Sequence, residues 1–216
     1  MKHIFYFILA IAAVMSAQAA TIYTSDFIAD NTRTNFNGFE GMGSGSSFAP
    51  LYTEGGITVQ QISGAGNNIW TTYNPGGIQG SYIWYPSGGD YGYTRITLSS
   101  GADFFNVGML VGSGNGSHYT VYFELRNNGA LVQSGTFAHT VAMHYIGFGG
   151  GGFDEVLLRD GATGTNAFNG THNALALDAI EVSGSGTPVP EPMTLGYVLF
   201  AGFLGILYHY GSKRNV

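Results

Sequence analysis

His118-Tyr119-Thr120-Val121-Tyr122-Phe123-Glu124-Leu125-Arg126-Asn127-Asn128-Gly129 decides the fold. Over its first eight residues Tyr119, Val121, Phe123 and Leu125 fall on one face, and His118, Thr120, Tyr122 and Glu124 on the other. A period of two, apolar against polar, is that of a half-buried antiparallel strand. Asn128-Gly129 then supplies two residues that tolerate the positive φ of a type I′ turn, and Ala130 to Phe137 returns as the partner strand.

The same pattern extends in both directions. Strand-like runs are Gly56–Ile62, Asn68–Tyr73, Ser81–Tyr85, Tyr93–Leu98, Phe104–Val111, Val141–Phe148, Phe153–Arg159 and Leu175–Val182, with Gly, Asn, Ser and Asp between them. Glycine accounts for 35 of 216 residues, roughly twice its usual share of about 7%. No window between Ala20 and Ser183 shows helical periodicity. Many short strands joined by glycine-rich turns predict an all-β body, an antiparallel β-sandwich of jelly-roll type.

Charge narrows what this body can do. Residues 20–183 contain Arg33, Arg95, Arg126 and Arg159, no lysine, and 12 acidic residues, for a formal charge of −8. A nucleic-acid partner needs a positive stripe that displaces counterions, and no such stripe exists here. The chain has no cysteine, so an oxidising compartment would create neither disulfides nor a reactive thiol.

Both ends carry address-like segments. Lys2, the apolar run Ile4 to Val14, and Ala17-Gln18-Ala19 ahead of Ala20 have the order of a secretory signal peptide, cleaved between Ala19 and Ala20. At the other end, Met193 to Tyr210 is 18 residues without Asp, Glu, Lys or Arg. As a helix it would be about 27 Å long, close to the roughly 30 Å hydrocarbon core of a bilayer. Lys213 and Arg214 follow, which places the C-terminus in the cytoplasm by the positive-inside rule. The expected organisation is a signal peptide at 1–19, an extracytoplasmic sandwich at 20–183, and a Gly/Ser linker with Pro190-Glu191-Pro192 at 184–192. A transmembrane helix at 193–210 and a basic tail at 211–216 complete it.

Pro190-Glu191-Pro192, the apolar helix and the basic Lys213-Arg214 together resemble the PEP-CTERM sorting signal of exopolysaccharide-producing Gram-negative bacteria. The resemblance implies an exosortase-like membrane enzyme as a processing partner. It also implies a membrane-inserted intermediate and a final place at the cell surface or in the extracellular matrix. Pro190 and Pro192 fix φ and lack N–H donors, so Glu191 is presented in extended chain. Phe39-Glu40-Gly41 and Ala176-Leu177-Asp178-Ala179-Ile180-Glu181-Val182 are similar to the opening and closing segments of β-sandwiches in that family. The outline is also similar to carbohydrate-binding jelly rolls, some of which hold a structural calcium between first and last strands.

Two sets of residues stand out inside the body. By strand alternation Asp178 shares a face with Ala176, Ile180 and Val182, the face expected to be buried. A buried carboxylate must be compensated. Either Glu40 and Asp178 contribute to a calcium site of six to eight oxygens, or Asp178 accepts backbone N–H bonds or pairs with an arginine. The second set is aromatic. Trp70, Tyr73, Trp84 and Tyr85 lie among glycines, where exposed rings would stack on sugar faces and buried rings would fill the core.

Other motifs lack their context. Gly147 to Gly152 satisfies G-x-G-x-x-G, but a strand-like run follows instead of the helix whose N-terminus would bind a pyrophosphate. There is no G-x-S-x-G and no H-E-x-x-H, and His139 and His144 have no zinc-site spacing. Asp154 and Glu155 are adjacent on a strand and point apart, so they do not form the carboxylate pair of a glycoside hydrolase. Three readings therefore stand: an exported, sorted, non-catalytic surface protein without a cofactor; a carbohydrate-binding module acting on exopolysaccharide; and a secreted hydrolase.

Overall fold

Asn128 and Gly129 have φ of 48° and 81°, the left-handed pair that a type I′ turn requires, and the hairpin around them anchors one of two large sheets. The computed structural model describes residues 19–42, 46–47, 51–62, 68–70, 76–87, 93–113, 120–138, 140, 142–160 and 175–186. In chain order the strands are β1 (Thr21–Tyr23), β2 (Arg33–Asn37), β3 (Ser46–Ser47), β4 (Leu51–Glu54), β5 (Ile57–Ile62), β6 (Asn68–Trp70) and β7 (Pro86–Ser87). They continue with β8 (Tyr93–Leu98), β9 (Asp103–Ser113), β10 (Thr120–Asn127), β11 (Ala130–Ala138), β12 (His144–Phe153), β13 (Glu155–Asp160) and β14 (Leu175–Gly186). A single 3-10 turn, Glu40–Met42, follows β2, and no α-helix occurs among the described residues.

One sheet has the order β1-β12-β9-β14-β2, the other β11-β10-β13-β8-β5-β4, and all their pairings are antiparallel. A small third sheet runs β3-β6-β7. The two large sheets share one core. Val107, Met109, Val111, Ile146, Phe148, Leu177, Ile180 and Val182 come from the first; Ile57, Val59, Ile96, Leu98, Val121, Phe123, Leu125, Val156 and Leu158 from the second. Burying each such side chain contributes about 1.5–3 kcal/mol, so this interface is what stabilises the sandwich. Val121, Phe123 and Leu125 are on the inward face that the alternation predicts.

The structure departs from the expected alternation in β14. Asp178 pairs with Leu110 and Glu181 with Gly108, so Ala179 and Ile180 together oppose Met109. Such a two-against-one arrangement is a β-bulge, and Ala179 sits at a φ of 47° within it. The bulge reverses the faces. Leu177, Ile180 and Val182 share the core, whereas Ala176 packs in a separate cluster with Ile83 and Met143. Asp178 is therefore not on the face of Ile180 and Val182. It is nonetheless fully buried, because another segment covers the outer face of the sheet at that point.

That segment is Gly76–Tyr85, and it is not the full strand expected at Ser81–Tyr85. It makes one isolated bridge, Trp84 to Leu177, with both N–H···O bonds at 2.9 Å. The amides of Ser81 and Tyr82 are taken instead by the Glu40 carboxylate, so no strand can pair with them. This strap lies beside the first half of β14, while β2 occupies the same edge along the second half.

Candidate functional site

The site that joins the carboxylates singled out in the sequence is the strap, held by a fully buried Asp178 and an exposed Glu40. Phe39, at φ 60°, turns the chain out of β2 and sets Glu40 at the start of the 3-10 turn. Glu40 Oε1 accepts the N–H groups of Ser81 at 2.7 Å and Tyr82 at 3.2 Å. From the other side Asp178 Oδ2 accepts the Gln79 N–H at 2.5 Å, and Oδ1 accepts that of Ala179 at 2.7 Å. Farther along, the Met143 N–H bonds to the Gly76 carbonyl at 3.0 Å. Gly80 lies between the carboxylates at φ +75°, and a Cβ there would come within 2.1 Å of Glu40 Oε1. Only glycine fits.

Electrostatics follows from this enclosure. Burial pushes the Asp178 carboxyl up from 3.8 to about 7. The two backbone N–H bonds act in the opposite direction, and the nearby Glu40 charge adds to the rise. Desolvation wins because amide dipoles replace only part of the hydration a carboxylate loses. Glu40 and Asp178 thus hold neighbouring residues of one strap. Of the roles weighed for Asp178, the structure shows the backbone acceptor. Calcium asks for six to eight oxygens, and no group of three or more His, Cys, Asp or Glu side chains gathers among the described residues.

The aromatic set divides. Trp84 is fully buried, packs against Phe39 at a centroid distance of 6.2 Å, and donates from Nε1 to Thr94 Oγ1 at 3.3 Å. It is a core residue, and its place in a sugar-stacking platform is corrected: alternation along the strap turns Trp84 inward and Ile83 to the outer cluster. Tyr85 is half-buried against that cluster. Trp70 pairs through its backbone with Ser46; its side chain, and Tyr73, lie outside the described residues.

A second polar cluster was not legible in the sequence. On the outer face of the first sheet Glu181 Oε1 accepts from the Tyr145 hydroxyl at 2.9 Å, and its Oε2 lies 3.6 Å from Arg33. Burial is the main cause that pushes Glu181 up from 4.5 to about 7; Asp26 adds to the rise, and Tyr145 and Arg33 oppose it. Burial and Glu181 also push the Tyr145 hydroxyl well above its ordinary range. Gly108 makes the room, since a Cβ there would meet the Tyr145 hydroxyl at 1.9 Å. The bulge at Ala179 puts Glu181 on the same outer face as Asp178, and no sequence signal marks it.

The remaining candidates have structural partners. Asp154 accepts the Asn128 N–H at 3.1 Å, closing the β10–β11 turn. Glu155 meets Arg95 Nε at 2.5 Å. Gly147–Gly152 lies within β12 and leads into β13. At the N-terminal end Ala20 is buried, and its N–H donates to Gln133 Oε1 at 2.7 Å; Ala19 is exposed. Ala17, Pro190, Glu191, Pro192, Lys213 and Arg214 lie outside the described residues. No protein-family model matches the chain, and no curated protein matches it.

Proposed function

We propose that the chain is an exported, non-catalytic surface or extracellular-matrix protein, processed through its C-terminal signal, with a sandwich of jelly-roll type as its mature body. The observation that carries this reading is the order Pro190-Glu191-Pro192, apolar Met193–Tyr210, basic Lys213-Arg214, behind a signal-peptide pattern that ends at Ala19. An exosortase-like enzyme in the inner membrane is the partner, and exopolysaccharide the surroundings. The engagement of Asp154, Glu155, Glu40 and Asp178 in structural contacts favours a non-catalytic body. The glycan-binding alternative loses Trp84 to the core and rests on Trp70, Tyr73 and Tyr85.

Cleavage before Ala20 is compatible with the fold, because an amino terminus there would keep its donation to Gln133 Oε1. The test is the intact mass of the protein from cell-associated and released fractions of its native host. The expected species starts at Ala20 and ends near Pro190–Pro192. A chain that retains its sequence through Val216 in both fractions would overturn the processing.

A further inference from the structure

Gly147 and Gly149, two positions of the G-x-G-x-x-G run, serve a purpose other than phosphate binding. They alternate with the buried Phe148 and so face outward on β12, where Gly147 pairs with Gly108 of β9. A Cβ at Gly147 would lie 2.3 Å from the Phe27 ring, and one at Gly149 3.0 Å from the Tyr23 ring. Together with Gly108, which makes room for Tyr145, they form a floor without side chains, and aromatic rings pack on it. Tyr23 and Phe27 stack at a centroid distance of 3.8 Å, and Phe27 meets Tyr145 edge-on at 6.3 Å. Residues 24–32, which join β1 to β2, thus lie as a flap over the outer face of the first sheet.

The flap is also held by groups that carry charge. Phe27 donates its N–H to the Tyr145 hydroxyl oxygen, and that hydroxyl donates to Glu181 Oε1 at 2.9 Å. Asp26 accepts the Ile28 N–H on Oδ1 at 3.0 Å and forms a hydrogen bond with the Glu181 carboxyl. An ionised carboxylate only accepts, so that last bond exists only while the pair holds a proton. The groups facing Glu181 are Asp26 from the flap, Tyr145 from β12, and Arg33 from β2 at 3.6 Å. Arg33 is shared with exposed Asp30 at 3.3 Å, and β9 contributes Gly108 opposite, without charge. A single divided guanidinium faces what would be two adjacent negative charges.

We infer that the Asp26–Glu181 pair is a proton-operated clasp, closed on the flap while the pair holds one proton and released when both carboxylates are ionised. Like charges in hydrogen-bond contact repel, and here the buried Glu181 is also cut off from most of its hydration. Burial, first, and then Asp26 raise Glu181 from 4.5 to about 7. A carboxyl that ionises less readily with the flap closed favours closure below its open-state pKa, and that preference is lost as pH rises through the closed-state value. The flap is therefore tightest below about pH 4.5 and loosest above about pH 7. Release bares the glycine floor while β1 and β2 stay in the sheet. This inference rests on the fold alone and is independent of the export pathway.

Hydrogen exchange of the full chain in detergent, corrected for the intrinsic pH dependence of amide exchange, tests the clasp. If closure carries the whole shift of Glu181, protection around Phe27 and Ile28 falls about fiftyfold between pH 5 and pH 7.5. Low urea should leave that exchange unchanged, as a local opening requires, while it accelerates the amides of β10. In Glu181→Gln the side-chain amide donates to Asp26 without a titrating proton, so the flap should stay closed through pH 7.5. Asp26→Asn, at an exposed position, leaves the buried residue in place and should cut the change to below about tenfold. A parent whose flap protection changes by less than about threefold would overturn the inference. So would flap exchange that urea accelerates as it does in β10, or a parental change retained in either variant.

Discussion

On the outer face of the β11–β4 sheet, Glu124 Oε2 takes two N–H groups from Arg126, at 2.7 and 2.6 Å, and Glu155 meets Arg95 across the sheet at 2.5 Å. On the outer face of the β1–β2 sheet, Asp178 takes the backbone N–H groups of Gln79 and Ala179, and Glu40 those of Ser81 and Tyr82. The first arrangement joins charge to charge through flexible side chains. The second joins a charge to the main chain, so each carboxylate also dictates the path of the strap. Guanidinium partners return much of the Coulomb energy lost on burial, whereas amide dipoles return less. This is why Asp178 rises to about 7 despite two hydrogen bonds.

If the strap belongs to the core, its anchor should matter most. Trp84→Ala removes a fully buried ring and should cost about 3–5 kcal/mol, read from denaturant unfolding. A loss below about 1 kcal/mol would mean that the strap rides on the sandwich without supporting it. A smaller effect should come from pH. A carboxyl that ionises less readily in the fold than in the unfolded chain stabilises below its unfolded pKa. For Asp178 that contribution is complete below about 3.8 and is lost as pH rises through about 7. Glu181 acts with the same sign between 4.5 and about 7. Unfolding temperature should therefore fall between about pH 4 and pH 7 from these two groups. Asp178→Asn should flatten part of that slope and leave Glu181's share. An Asp178→Asn protein with the parental slope would remove Asp178 as a source of the pH dependence.

The sequence reads best where contacts are local. The β10–β11 hairpin follows from alternation and Asn128-Gly129, and β8 is found at Tyr93–Leu98 as expected. Asp178 was legible as a buried carboxylate that needs partners, but its partner Gln79 is 99 residues away and no pattern links them. The bulge at Ala179 was hidden because alanine carries no preference for φ of 47°. Without the bulge, counting by twos assigns Asp178 and Glu181 to opposite faces, and the Glu181–Tyr145–Arg33 cluster disappears. Trp84 was ambiguous for a related reason: a tryptophan among glycines reads equally as a platform or as core. The direction of the strap, set by Glu40 and Leu177, decides it.

The charge-to-charge face gives the smallest effect and the sharpest contrast. Arg126 is a third exposed and also donates to the Gly129 carbonyl at 2.9 Å. Glu124 is buried while Arg126 is partly hydrated, which puts the pair between the exposed case of about 0–1 kcal/mol and the costlier buried one, so Arg126→Ala should cost about 1–2 kcal/mol. The loss has a local cause as well. Without Arg126, Glu124 keeps the Tyr122 hydroxyl at 3.2 Å and that of Tyr93 at 3.4 Å, so it is not left bare. If Arg126→Ala instead costs as much as Trp84→Ala, the guanidinium is a structural anchor equal to the strap. The distinction between carboxylates tied to side chains and carboxylates tied to backbone would then fail. If it costs little, and a charge-neutral Arg126→Gln costs no more, the pair tunes the surface while the strap carries the fold.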